Sequence, residues 1–334
     1  MRLALARRVG LRVVLVALLL AVVVAIVVWR GPSLDLLRSA FTLVRWEWIA
    51  AAIALNLLSV AVRALAWRTV IRQAMPPPHP RLRAIFSAFC VGLLANAVLP
   101  GRIGELARVA VLARRTRARR GAWVTLAGTV FSHRVFDLAA ALVLVAWVLW
   151  VGSVPAWAVT SLTIVIVAGV SLLVLGVLGA RNPERGIRQE LGAVRRLVSL
   201  ARNGLGVMRA PVPAAVAILS QCAGWGLQLL AVYAAMRAFN IEEPLVAAGL
   251  VLVMMNVAMI FPLWPGNVGL VQAAVALSLL SYGIDYAHGF AFGIGVQAIE
   301  ASVGIGLGLL FAAREGLTLG TLREMERPAA APPP

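Results

Sequence analysis

Long apolar runs separated by short arginine-rich segments dominate the chain. The runs occupy residues 13–29, 46–67, 122–151, 156–179, 212–235 and 288–312. About 20 apolar residues in a helix, with a range of about 17–25, are enough to cross the hydrocarbon of a bilayer. Each run therefore predicts one membrane-crossing helix. The chain is predicted to be an all-α polytopic membrane protein with about six transmembrane helices.

Two further apolar stretches, 84–99 and 245–284, are too short or too interrupted to cross alone. The interruptions share the pattern Pro-Gly-x-x-Gly. Proline lacks a backbone donor and glycine adopts angles that other residues avoid, so a helix entering either break should end and a second one begin. We expect two re-entrant helical hairpins. Their predicted structural breaks are Pro100, Gly101 and Gly104 in the first copy and Pro265, Gly266 and Gly269 in the second.

The arginines set a predicted orientation. The formal net charge is +18, and the densest basic segments are 81–83, 114–120 and 185–202. Basic loops stay on the cytoplasmic side, which predicts an inner-membrane protein with both termini in the cytoplasm. With that orientation the two hairpins enter from opposite sides, as an inverted repeat requires. The predicted parts are 1–45 (signal-anchor span and outer loop), 46–151 (first repeat), 152–211 (connection), 212–312 (inverted second repeat) and 313–334 (disordered cytoplasmic tail).

Composition excludes several other classes. Hydrophobic residues make up 62% of the chain and charged residues 13%, which excludes an ordinary soluble domain. The positive charge lies in short loops and therefore indicates topology and attraction to anionic lipid, not nucleic-acid binding. Cys90 and Cys222 have no neighbours at metal-ligand spacing, and no phosphate-binding loop or dinucleotide fingerprint is present. We predict no metal, no cofactor and no catalytic residue.

The segment 180–211 is the longest polar stretch. Apolar residues spaced by threes and fours alternate there with the arginines of 185–202, a pattern typical of a basic amphipathic helix lying on an anionic leaflet. A plain connecting helix is the alternative.

Each break creates a possible anion site. The first amides of a restarted helix have no intrahelical acceptor, and the helix dipole adds partial positive charge. Arg102 stands at the first restart, where a guanidinium suits a phosphate. Glu105 can pair with Arg102 or Arg108, or contact a cationic headgroup; the alternative is that these three are interfacial charges without a ligand. The predicted substrate contacts are Asn96, Arg102, Glu105, Arg108, Asn267 and Gln272.

A buried polar network is predicted beside the breaks, formed by His133, Arg134, Asp137, Gln297 and Glu300. Arg134 and Asp137 share a helix face and can neutralise each other. His133 could couple transport to protons or only donate a hydrogen bond. Glu300 needs a partner, for which Gln297, Gln272 and Arg134 are candidates. Arg63 is expected to snorkel towards the cytoplasmic interface.

These motifs together resemble a known family. Asn96, Leu99-Pro100-Gly101-x-x-Gly104-Glu105, Arg108, Arg134-x-x-Asp137 and Pro262-x-x-Pro265-Gly266-x-x-Gly269 are similar to the membrane domain of lysylphosphatidylglycerol synthases and related stand-alone flippase-like proteins. The resemblance covers about 46–312 and implies a lipid translocase in which two hairpins frame a headgroup path. The chain departs from the family at His133, where a Glu is usual, at Gln272, where an acidic residue is usual, and near Gln297, where an Arg is usual.

We therefore expect a non-enzymatic lipid translocase of the inner membrane. Its ligand would be an anionic or zwitterionic phospholipid or a polyprenyl-phosphate-type lipid. One alternative is a non-transporting membrane partner of a separately encoded lipid-modifying enzyme or glycosyltransferase, with 185–202 as its docking surface. A second is an intramembrane enzyme that uses His133, Asp137 and Glu105, for which no nucleophile or metal motif is present.

Overall fold

The computed structural model of the 334-residue chain describes residues 41–98, 104–115, 122–181, 211–260 and 265–316. The first predicted crossing at 13–29, the basic segment 185–202 and residues 317–334 of the tail lie outside these ranges. The described part is mostly helical and contains no strand. Its α-helices are α1 (Trp46–Ala74), α2 (Leu82–Val98), α3 (Gly104–Arg115), α4 (Ala122–Val151), α5 (Ala156–Arg181), α6 (Pro211–Ala238), α7 (Leu245–Ala258), α8 (Leu270–Leu279) and α9 (Tyr286–Arg314).

The helices divide by length as the hydrophobic pattern predicts. Four of the described helices, α1, α4, α6 and α9, are long and apolar enough to cross a membrane. In contrast, α2, α3, α7 and α8 have only 17, 12, 14 and 10 residues. Helices of these lengths reach at most about 26 Å at 1.5 Å per residue, short of a hydrocarbon core about 30 Å thick. The chain is thus an all-α polytopic membrane protein with shorter helices packed among its long ones.

The short helices form two pairs, α2–α3 and α7–α8. Contacts at one end of the molecule join the start of α2 to the end of α9, where the rings of Phe86 and Phe311 stack edge-on with centroids 5.4 Å apart. Contacts at the opposite end join the short helix after α8 to the end of α4, where Ser153 N donates to the Tyr282 hydroxyl over 3.2 Å. The two pairs therefore open towards opposite ends of the long helices. Their relation as an inverted repeat remains a prediction.

Helix α9 packs against both pairs through glycines. A methyl group at Gly293 would approach the backbone of Gln272 in α8 to 2.9 Å, and one at Gly308 would approach Leu94 in α2 to 2.3 Å. Small residues allow helix backbones to approach closely where lipid supplies no hydrophobic driving force. The first half of α9 therefore packs against the α7–α8 pair, and the second half packs against the α2–α3 pair.

Two apolar cores fill the molecule. One lies around α7 and α8 and includes Ala52, Ala140 and Ile299, and the other lies around α2 and α3 and includes Val60 and Val130. The long helices α1, α4 and α9 pass through both. Each contributes polar residues where it leaves one core and enters the other, so a polar layer separates the two cores.

Candidate functional site: a charged cavity between the two cores

The polar layer encloses a cavity of about 210 Å³. A water molecule takes up about 30 Å³ in the liquid, so this space is large enough for a small polar group. It lies near the middle of the long helices. Its polar lining consists of Asn56, Ser59, Arg63, Asn96, Glu105, Arg108, His133, Arg134, Asp137, Gln228 and Glu300. The cavity thus brings three of the predicted substrate contacts together with four members of the predicted polar network: Asn96, Glu105 and Arg108 with His133, Arg134, Asp137 and Glu300.

Asp137 is the most heavily bonded acid of this cavity. Its Oδ2 accepts from Arg134 Nη1 over 3.0 Å, which confirms the predicted pair on α4. Its Oδ1 accepts from Trp225 Nε1 over 3.0 Å, from Gln221 Nε2 over 3.2 Å and from Arg63 Nη1 over 3.5 Å. A buried carboxylate is stable only when its lone pairs are satisfied in this way. Asp137 therefore joins α1, α4 and α6 at one point.

Glu105 joins the α2–α3 pair to the same network. It forms ion pairs with Arg108, one turn later on α3, and with Arg134 on α4. The pairing with Arg108 was one of the predicted alternatives. Residues 99–103 lie outside the described residues, so the predicted contacts of Arg102 and the breaks at Pro100 and Gly101 remain predictions.

Arg63 and Arg108 each lie over an aromatic ring. The guanidinium carbon of Arg63 is 4.9 Å from the Trp225 ring centre, and that of Arg108 is 4.8 Å from the Trp67 ring centre. Both Nε atoms are buried and find no hydrogen-bond partner within the described part of the chain. The prediction that Arg63 snorkels to the interface is wrong, because its side chain is only 19% exposed and pairs with Asp137.

His133 presents an unused ring nitrogen. Its Nε2 lies 3.2 Å from the carbonyl oxygen of Arg63, a group that only accepts, so Nε2 carries the proton. Nδ1 is buried and, among the residues described, has no partner. In the neutral ring Nδ1 is then an acceptor, so the cavity offers an open acceptor as well as open donors.

Glu300 has a different partner from those predicted. Gln228 Nε2 donates to Glu300 Oε1 over 2.7 Å, and Gln228 also lies 3.3 Å from the Ser59 hydroxyl. The predictions of Gln297, Gln272 or Arg134 as its partner were wrong. Gln228 on α6 therefore holds Glu300, which lies on α9, in the cavity lining.

At the first break, the N–H group at the start of α3 already has a hydrogen-bond acceptor. Gly104 N donates to Asn96 Oδ1 over 2.8 Å, so a side chain of α2 caps the start of α3. A methyl group at Gly104 would lie 2.1 Å from the carbonyl oxygen of Gly92, which shows how closely the two helices cross. The predicted anion site at free restart amides does not include this N–H. The donors without partners in this cavity belong to Arg63 and Arg108 within the described residues.

The second break is closed by neutral amides. Gly269 N donates to Gln272 Oε1 over 2.6 Å, and Asn267 Nδ2 donates to Ala258 O over 2.8 Å. Gln272 in turn bonds to Gln297, which bonds to the carbonyl oxygen of Gly266. Left-handed backbone at Gly266, with φ 71°, and at Gly269, with φ 91°, makes the turn. The structure thus places Asn267, Gln272 and Gln297 together, but not in the lining of the charged cavity.

Sequence reasoning missed the contribution of α6. Gln221, Trp225 and Gln228 recur on one face of that helix at spacings of four and three. This polar stripe in an apolar helix was the available signal. Among the described residues, no group of three or more His, Cys, Asp and Glu could hold a metal ion.

Comparison with known proteins agrees with this architecture. A family model described as the lysylphosphatidylglycerol synthase TM region matches residues 12–308. A "UPF0104 membrane protein" from Methanothermobacter thermautotrophicus is 23% identical over 290 residues, which cover 80% of this chain and 83% of that protein. No solved structure matches the chain. Because the family model spans the charged cavity and both helix pairs, the chain belongs to the lysylphosphatidylglycerol synthase transmembrane-region family.

Proposed function

We propose that the protein moves a phospholipid or lipid-linked phosphate across the inner membrane by holding its headgroup in the charged cavity. In this proposal it is a translocase and not an enzyme. One observation carries the proposal: two arginines deep among apolar helices keep N–H groups that have no partner in the described residues. Buried donors without partners are costly, at roughly 1–3 kcal/mol each. A ligand that accepts from them recovers that energy.

The chemistry of the open groups favours a phosphate. Guanidinium N–H groups match phosphate oxygens better than any other side chain does. Arg108 is only 4% exposed, and its stacking on Trp67 fixes the plane of its donors. A fixed donor pair desolvated by aromatic rings loses little rotamer entropy when an oxyanion binds. The cavity is therefore suited to a phosphodiester.

The balance of charge favours a headgroup that carries both signs. The cavity contains three basic side chains, Arg63, Arg108 and Arg134, and three acidic ones, Glu105, Asp137 and Glu300. A zwitterionic headgroup leaves this formal balance unchanged. Its ammonium or hydroxyl group could donate to His133 Nδ1 or to Glu300.

In this proposal the headgroup would enter the cavity beside Arg134 on α4. The side chain of Arg134 is 50% exposed although it pairs with both Glu105 and Asp137. A lipid could keep its acyl chains outside while its headgroup reached the cavity along this half-exposed arginine. The opposite openings of the α2–α3 and α7–α8 pairs support an inverted repeat in which access alternates between the two sides. Both termini would be cytoplasmic, as the arginine distribution predicts.

Lipid movement in reconstituted vesicles tests the proposal. The full chain would be incorporated into vesicles that contain acyl-labelled fluorescent phosphatidylethanolamine or phosphatidylglycerol, and a membrane-impermeant quencher would report the exposed leaflet. We expect Arg108→Gln and Glu105→Gln to slow redistribution by at least about tenfold, since hydrogen bonds to charged groups contribute about 1.5–3 kcal/mol. Arg102→Ala tests the contact that lies outside the described residues.

Arg45→Gln is the matched control. Arg45 is exposed just before α1, where it pairs with Glu47 over 3.3 Å and lies over the Trp48 ring, and it is not in the lining of the charged cavity. The Arg45→Gln variant should move lipid at the same rate as the parent. Parent rates in both Arg108→Gln and Glu105→Gln, with each variant correctly folded, would rule out the cavity as the headgroup site.

A further inference from the structure

A second, apolar cavity lies at the end of the molecule where α2 begins. It measures about 520 Å³ and lies between α1, α2 and α9. Its described lining shares no residue with the charged cavity. The floor is formed by Ala61, Leu65, Leu82, Phe86 and Phe311, and the polar residues around it are Arg83, Ser87, Arg115 and Arg314. Leu65 and Leu82 are exposed, so the floor is open to its surroundings.

Three arginines make the rim of this groove strongly positive. Arg83, Arg115 and Arg314 are all exposed, and the guanidinium carbon of Arg314 lies 5.5 Å from the Phe311 ring centre. Among the described residues, Glu315 is the acidic residue beside them. Its carboxylate is already bonded, accepting from Ser87 and, over 2.8 Å, from Arg115 Nε. The rim therefore keeps an excess of positive charge beside an apolar floor.

Arg115 has donors beyond the one that Glu315 uses. A guanidinium carries five N–H donors, and Arg115 Nε accounts for one of them. The Arg115 side chain remains 44% exposed while it holds this bond. An anion at the rim could therefore contact Arg115 without displacing Glu315.

We propose that this groove binds an anionic glycerophospholipid of the surrounding leaflet as a resident lipid. One acyl chain would lie on the floor between α1, α2 and α9, and the phosphate would contact Arg83, Arg115 and Arg314. The charge of the rim selects the lipid, because a headgroup with net negative charge complements three cations and a zwitterionic one does not. This site does not depend on whether the charged cavity moves lipid. It would hold the start of α2, the end of α3 and the end of α9 together from outside.

Native mass spectrometry of the purified full chain tests the proposal. The probes are phosphatidylglycerol and phosphatidylcholine with identical acyl chains, so only the headgroup differs. We expect the parent to bind phosphatidylglycerol in preference. The double variant Arg83→Gln/Arg314→Gln keeps the Arg115–Glu315 contact. It should weaken phosphatidylglycerol binding by roughly fivefold per arginine removed, since a basic residue near a charged lipid surface contributes about 1 kcal/mol.

Two further variants separate a built site from general attraction. Arg68→Gln/Arg72→Gln removes the same charge from the same end of α1 without touching the groove lining, and it should bind like the parent. Ala61→Trp fills the floor without changing charge and should reduce binding of phosphatidylglycerol. Circular dichroism and size-exclusion chromatography would establish that each variant is folded.

Three results would overturn the proposal. The first is equal binding of the two lipids by the parent, and the second is an equal loss in the Arg83→Gln/Arg314→Gln and Arg68→Gln/Arg72→Gln variants. The third is co-purification of a phosphate-free molecule in the groove. Glu315→Gln gives an opposite check, because removing the negative charge beside the rim should tighten phosphatidylglycerol binding.

Discussion

The two helix breaks solve the same backbone problem with different chemistry. In each, a glycine N–H at a helix restart donates to a side-chain amide oxygen, Asn96 at the first break and Gln272 at the second. Around the first break the neighbours are charged, with Glu105 held between Arg108 and Arg134. Around the second they are neutral, with Gln297 bonded to Gln272 and to the Gly266 carbonyl.

Under the proposed function, the neutral second break would hold a turn and the charged first break would hold a ligand. The neutral amides at the second break bond to one another and to the backbone of Gly266 and Gly269, which suits a fixed turn inside a membrane protein. Charged groups in low dielectric are costly unless fully paired, and the first break leaves guanidinium N–H groups without partners in the described residues. In the proposed function, ligand binding would therefore be concentrated at the first break, and the second break would hold a fixed turn.

Among these variants, Asp137→Asn should cause the largest loss in the free energy of unfolding. A small loss would contradict the contrast between the charged first break and the neutral second break. The change removes the charge that faces Arg63 and Arg134, so Arg63 loses its carboxylate partner within the described residues and Arg134 keeps only its pair with Glu105. Breaking a buried ion pair costs about 3–5 kcal/mol, so we expect a loss of about 3 kcal/mol in the free energy of unfolding. Unfolding in mixed detergent micelles would measure it.

Glu47→Gln is the control for this measurement. Its side chain is 68% exposed and pairs only with exposed Arg45 among the described residues. Such surface pairs contribute about 0–1 kcal/mol, so the variant should unfold like the parent. A loss under about 1 kcal/mol in Asp137→Asn would show that the charged network is not a structural joint.

Alanine at Gly104 and at Gly266 sharpens the comparison of the two turns. At Gly104 the added methyl would meet the Gly92 carbonyl oxygen at 2.1 Å, so the helices of the first pair must separate. Overpacking of this kind costs about 1–3 kcal/mol, and we expect about 2 kcal/mol. At Gly266 the nearest atoms are 3.6 Å away, and only the φ of 71° opposes a side chain. That left-handed backbone costs about 1 kcal/mol.

The same unfolding assay ranks these two variants. Gly104→Ala should also slow lipid redistribution, because the displaced α3 carries Glu105 and Arg108, whereas Gly266→Ala should affect stability alone. An equal loss of transport in both variants would argue that the second break contacts the ligand as well.

The smallest expected effect is the loss of a single cap. Asn96→Leu removes the acceptor for Gly104 N and should cost about 1 kcal/mol, a usual value for a helix cap. Gln272→Leu removes the acceptor for Gly269 N and also the bond to Gln297, so it should cost more than Asn96→Leu. Thermal unfolding of both variants gives the order, and the reverse order would show that the neutral network contributes little.

Helix lengths and break positions could be predicted from the sequence because they depend on local patterns. Apolar runs define α4, α6 and α9 within three residues, and Pro-Gly-x-x-Gly lies between the two helices of each short pair. The pair Arg134–Asp137 was likewise visible, since a spacing of three on a helix places both side chains on one face. These features can be predicted because each depends only on residues that are close together in the sequence.

Partners from distant helices could not be predicted in the same way. Asp137 meets Gln221 and Trp225 of α6, more than 80 positions later, and Glu300 meets Gln228. Nothing in the spacing along one helix states which helix it faces. Arg63 shows the consequence most clearly, because its position near a helix end suggested an interfacial residue whereas the packing of α6 encloses it.

The shared wall formed by α9 has a mechanical consequence. Gly293 touches one helix pair and Gly308 the other, and about 22 Å of continuous helix separates them at 1.5 Å per residue. Fifteen residues at about 3.6 per turn place the two glycines on nearly the same side of α9 at different heights. A tilt of the helix that crowds one pair would therefore relieve the other, which couples the packing of the two pairs.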